Sequence, residues 1–189
     1  MKEKEFVVNP VVVNILAIII TIPLLILLIV IYKYRWIVND HSFLNVFVSN
    51  LKKESGFFIL FYIFSLFVGI LIHEFIHGLF LSFFSPKGFK DLKFGFNIKA
   101  FAPYAHCKEP LKRNQYLLAV LAPGLIMGIL PLIYCFIMND IVWYVWSILF
   151  TISAIGDFMV FFMLLRVKRD RIILDHPAKV GFVARWVEE

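Results

Sequence analysis

FFILFYIFSLFVGILIHEFIHGLFLSFF, residues 57–84, is the stretch on which the reading of this chain turns. It is long enough and apolar enough to cross a bilayer as one helix. Its only charged or imidazole side chains are His73, Glu74 and His77. Ionisable groups inside such a run are costly in lipid and usually functional. The stretch therefore predicts both a membrane span and a site within it.

Composition extends the first conclusion to the whole chain. Of 189 residues, 61% are hydrophobic and 17% charged, whereas a soluble domain has about half and about a quarter. The charges cluster, leaving four uncharged or nearly uncharged runs at about 11–32, 57–84, 115–138 and 141–165. Backbone polar groups in lipid must be satisfied internally, so these runs predict transmembrane helices. The first is too long for the apolar core of a signal peptide, and no small-residue cleavage site follows it; Pro23 is expected to kink it. Only Asn139 and Asp140 separate the last two, which predicts a tight helical hairpin. The expected fold is an all-α membrane protein: four transmembrane helices, with a small β-hairpin between the second and third, in a single integral membrane domain over 1–189.

The hairpin is read from the 88–110 loop. Leu92, Phe94, Phe96 and Ile98 alternate with Lys93, Gly95, Asn97 and Lys99, a period of two that marks a half-buried strand. Phe101 to Cys107 offers a second strand, with Pro103 suited to an edge.

Basic residues orient the chain. The 85–114 loop carries Lys87, Lys90, Lys93, Lys99, Lys108, Lys112 and Arg113, and the 166–189 tail opens with Arg166, Lys168, Arg169 and Arg171. The 33–55 loop has Lys33, Arg35, Lys52 and Lys53. The excess predicts a multi-pass protein of the cell membrane with the 85–114 loop, the tail and both termini cytoplasmic. The net charge of +6 is thus explained at helix ends, and no basic stripe of a nucleic-acid binder is present. Cys107 and Cys135 form no CxxC pair and predict no disulfide framework.

The site's chemistry follows from helical spacing. Residues four apart share a face, so His73 and His77 can aim at one metal ion with Glu74 beside them. Zinc is the metal this pattern suits, with the glutamate as general base. A catalytic zinc needs a third protein ligand. Asp157 is the only acidic residue inside another span, 16 residues after Ile141 as His73 is 16 residues after Phe57. At 1.5 Å per residue both lie about 24 Å into their spans. Asp175 is the alternative third ligand. His106 and His176 are possible neighbours of the site, and His41 falls on the predicted outer side. Gly124 and Gly128, a GxxxG pair, predict close helix packing.

His73-Glu74-Phe75-Ile76-His77-Gly78, then a strand-bearing loop, then Ala122-Pro123-Gly124, then Gly156-Asp157, resembles the arrangement of site-2 protease-type intramembrane zinc metalloproteases. The chain is more closely similar to a family of small four-span prokaryotic membrane zincin peptidases of unassigned function. That family shares stretches like Pro103-Tyr104-Ala105-His106 and Asp175-His176-Pro177. The resemblance covers roughly residues 57–181. It implies His73 and His77 as zinc ligands, Glu74 as catalytic base and Asp157 as third ligand. The order Gly156-Asp157 and the order Pro123-Gly124 are each the reverse of the site-2 pattern.

The expected function is hydrolysis of peptide bonds in membrane-protein or peptide substrates at the bilayer, with no nucleic-acid partner. The different class of function to weigh against it is a non-proteolytic metal-binding membrane protein, a sensor or assembly partner, which needs the ligands but not Glu74 as a base. An exposed edge of the 92–101 strand is the expected place for an unwound substrate segment to add.

Overall fold

The computed structural model describes residues 2–8, 10–34, 57–97, 102–138, 141–176 and 179–187. Residues 35–56 of the expected outer loop, with His41, lie outside the described residues, as do residues 98–101, Asn139, Asp140 and Pro177.

The apolar runs are helices where expected: α1 (Pro10–Tyr32), which continues through Pro23, and α2 (Phe57–Phe84). A third helical rod comprises α3 (Arg113–Pro123), a π-helical segment (Gly124–Ile129) and α4 (Leu130–Met138). The fourth run is α5 (Ile141–Ser153) and α6 (Ile155–Leu165). Among the described residues, Ile63–Phe84 and Arg113–Met138 are long and apolar enough to cross a membrane. Trp143–Ser153 and Ile155–Leu165 make a third if taken as one broken span, and the apolar part of α1, Ile18–Ile31, is shorter. The fourth run is therefore not the single straight rod that the sequence suggested: it bends by 51° at Ala154.

α2 stops at Ser85-Pro86, since proline cannot continue a helix and restricts the residue before it. The turn that follows is tied by Asp91, whose carboxyl accepts the Ser85 hydroxyl and, at 2.8 Å, the Lys87 backbone N–H. Those two donors hold its pKa below the ordinary aspartate value. The chain then enters β2 (Leu92–Asn97), antiparallel to β3 (Ala102–Cys107), with Phe94 opposite Ala105 and Lys93 opposite His106. This is the expected hairpin.

The all-α expectation needs one correction. β1 (Lys2–Val8), β4 (Leu111–Lys112), β5 (Ile172–Asp175) and β6 (Val180–Trp186) form a second, four-stranded sheet in the order β1-β6-β5-β4. The tail is thus folded against the N-terminal strand. In β6, Phe182 and Ala184 are buried and alternate with half-exposed Val183 and Arg185, so one face of the sheet joins the core. That core includes Ile173, Leu111, Tyr116, Leu164 and Cys107. Gly181 sits at φ +136° with Phe6's carbonyl against it, a place only glycine occupies without strain. Because β1 leads into α1, β4 into α3, and α6 into β5, the sheet gathers the starts of α1 and α3 and the end of α6. Arg113 bonds across this end, its Nε donating to the Leu164 carbonyl at 3.0 Å, a cation at a helix C-terminus.

Small residues bring these helices together. A Cβ at Gly124 would lie 3.0 Å from the Ala154 Cβ and 3.0 Å from the Phe158 ring, and one at Gly128 would lie 2.6 Å from the Thr151 hydroxyl. The GxxxG pair therefore lets the π segment press against the bend between α5 and α6. Phe158 is the neighbour of Asp157, so this packing also sets where that carboxylate goes.

Candidate metal centre

His73, Glu74 and His77 project from the second half of α2, with donor atoms within 4.8 Å of one another. Asp157, in the first turn of α6, faces both imidazoles: its Oδ2 is 3.0 Å from His73 Nε2 and its Oδ1 is 3.3 Å from His77 Nε2. The three residues expected as ligands thus meet, although Asp157 reaches them across a bent span.

His77 is oriented from its far side. Its Nδ1–H donates to the Ala119 carbonyl at 2.9 Å. In an uninterrupted helix that carbonyl would accept from residue 123, but residue 123 is proline and has no N–H. The Gly124 N–H bonds to the Leu121 carbonyl instead. Pro123 therefore leaves the Ala119 carbonyl available, and His77 takes it.

Glu74 is held by the hairpin, its carboxylate accepting the Ala105 backbone N–H. The next outward donor on β3, Cys107 N–H, goes to Asp175 Oδ2 at 3.2 Å. Pro103 has no N–H to offer. The edge of β3 that faces the site is thus engaged rather than open; the expected strand-addition edge is the other one, on β2.

Asp175 does not join the imidazoles of α2. Its Oδ2 also accepts from His106 Nδ1 at 2.9 Å, and its Oδ1 accepts from the Tyr116 hydroxyl at 2.8 Å. It ties β5, β3 and α3 together. His176 belongs to the turn between β5 and β6: its N–H meets the Gly181 carbonyl and its Nδ1 accepts the Lys179 N–H.

A family model described as "Putative zincin peptidase" matches residues 66–172, more than half of the chain. The chain belongs to that family. No curated protein and no solved structure matches it. As a zincin-family member with the His73-Glu74-Phe75-Ile76-His77 motif, the protein is a zinc metallopeptidase.

The donor set fits a zincin's zinc on two counts. With its proton on Nδ1 held by the Ala119 carbonyl, His77 when neutral offers the Nε2 lone pair as a ligand on the side where Asp157 lies. With zinc–ligand bonds of about 2.0–2.1 Å, tetrahedral ligand atoms stand about 3.3 Å apart. The observed 3.0 and 3.3 Å separations are of that size. Two groups that serve this zincin site escaped residue-type reasoning, the Ala119 carbonyl and the Ala105 N–H. Both belong to the backbone, and only Pro123 signalled either of them.

Proposed function

We propose that the protein is an intramembrane endopeptidase that cuts membrane-protein or peptide substrates near the cytoplasmic end of a membrane segment. The observation that carries this reading is the position of the motif, on a helix of membrane-spanning length and beside the end that the hairpin covers. His73, His77 and Asp157 are assigned as the residues that hold zinc, and Glu74 as the general base. Zinc bound there acidifies a water and polarises a peptide carbonyl. Glu74 takes the proton of the attacking water and delivers it to the leaving amine. The Ala105 N–H keeps its carboxylate pointed, and the Ala119 carbonyl keeps His77 in the tautomer that leaves Nε2 free.

The topology of the proposal is four spans with both termini cytoplasmic. It is supported by the pairing of β1 with β6, since paired strands share one side of any membrane the helices cross. The same end carries Lys87, Lys90, Lys108, Lys112, Arg166, Lys168 and Arg169, the signature of a cytoplasmic face. A metal-binding protein without protease activity would need no carboxylate base between its ligands. The test is cleavage of a single-span reporter in vesicles by the wild type and by Glu74→Gln. The variant is expected to be at least about 100-fold slower, and equal rates would remove Glu74 from the reaction.

A further inference from the structure

Alongside Glu74 a groove of about 450 Å³ opens between α2 and the hairpin, a size typical of ligand pockets. Its wall on α2 is Val68, Leu71, Ile72 and Phe75, which recur at helical spacing and form one stripe. Its wall on the hairpin includes Phe94 and Tyr104. Glu74 is the one charged residue in the lining.

By helical geometry Glu74 lies between the face that carries His73 and His77 and this apolar stripe, so the groove begins where the reaction takes place. From Glu74 back to Val68 it runs about 9 Å along α2, away from the hairpin's end of the helix and toward mid-span. Leu71, Ile72, Phe75 and Phe94 are each about half exposed: among the described residues, packing leaves this wall uncovered. The hairpin cannot close down on it, because Phe94's ring already lies on Gly78 of α2, where a Cβ would come within 2.2 Å of it. Gly78 thus sets the height of the roof.

We infer that this groove is a specificity subsite, taking a large apolar side chain of the substrate on the membrane-embedded side of the bond that is cut. The inference rests on the endopeptidase reading and adds to it the kind of sequence that is cut. The substrate is a membrane segment with leucine- or phenylalanine-sized residues next to the scissile bond. Its more polar, cytoplasmic side leaves past the hairpin. With the β3 edge beside Glu74 engaged, the groove offers side-chain capture as the way the chain is directed to Glu74.

Full-length protein in liposomes, given single-span reporters with Leu, Phe, Ala or Asn beside the cut, provides the test. Wild type is expected to favour Leu or Phe over Ala by at least about tenfold in kcat/KM. Leu71→Trp, which fills the groove from an exposed position, is expected to lower that preference about tenfold with zinc content unchanged. The same preference in both proteins overturns the inference. A second arm reads binding alone: zinc-depleted Glu74→Gln protein is irradiated with a reporter carrying a photoreactive phenylalanine at that position. Cross-links are expected within residues 68–75, 94–95 and 103–104. Labelling there by a photoreactive phospholipid that the reporter does not displace assigns the groove to lipid and overturns the inference. Cross-links from the reporter without cleavage by the wild type would uphold the groove and refute the endopeptidase reading.

Discussion

Replacing Pro123 by alanine separates helix stability from metal binding, because the two should move in different directions. The substitution restores an N–H four residues after Ala119, directed at the carbonyl that now accepts His77 Nδ1–H at 2.9 Å. It also removes the ring that pushes that carbonyl off the helix axis. Proline costs about 3 kcal/mol relative to alanine in a helix interior. Pro123 is fully buried, and the space vacated by its ring would offset part of that gain, by roughly 1–2 kcal/mol. The zinc-free variant should therefore be as stable as wild type or somewhat more so. Zinc affinity should fall, since losing the acceptor that orients a ligand histidine typically costs about 10–100-fold. The carbonyl has a second lone pair and could accept both donors at once, which places the expected loss toward the lower end. The assay is competition for zinc against a chromophoric chelator, with thermal unfolding of zinc-free protein beside it. Pro131→Ala, whose restored N–H points at no carbonyl used by the site, is the control. A Pro123→Ala affinity within about threefold of wild type would refute the reasoning that joins proline, carbonyl and ligand.

Three further outcomes follow from the same contacts. Asp157→Ala should abolish tight zinc binding, whereas Asp175→Ala should keep it and lower thermal stability. Asp175→Ala strands the donors of His106, Cys107 and Tyr116, each worth about 1–3 kcal/mol if left unsatisfied; zinc analysis and unfolding on both variants decide between the two carboxylates. Gly78→Val puts side-chain atoms where the Phe94 ring lies, so reporter cleavage should drop with zinc content intact, and unchanged cleavage would show that the hairpin's seat on α2 is not needed. Asp91 stabilises the 85–91 turn as a carboxylate with a lowered pKa. Its contribution is full above its unfolded value of about 3.9 and is lost as pH falls through the lower folded value. Hydrogen-exchange protection of residues 85–91, taken relative to the intrinsic rate at each pH, should fall in acid in the wild type but depend less on pH in Asp91→Asn.

Much of this was legible because it depends on residue type. The apolar runs announce helices, and the alternation from Leu92 onward announces β2. A lone aspartate inside a span pointed to Asp157, since buried charges need a partner. The terminal sheet was not legible. β1 begins Lys2-Glu3-Lys4-Glu5, with no apolar alternation, and its partner β6 lies at the other end of the chain. The bend at Ala154 carries no proline to announce it, and it is the place where Gly124 and Gly128 pack closely. Backbone groups at Ala105 and Ala119 leave no mark in side-chain patterns. Pro123 does leave one, because a proline in a span always frees the carbonyl four residues earlier.

The most direct test of the account is the metal content of the full-length protein, purified without chelator and measured by elemental mass spectrometry, beside His73→Ala prepared in the same way. About one zinc per wild-type chain, lost in the variant, is the predicted result. Wild-type protein without stoichiometric zinc, cobalt or iron would contradict it.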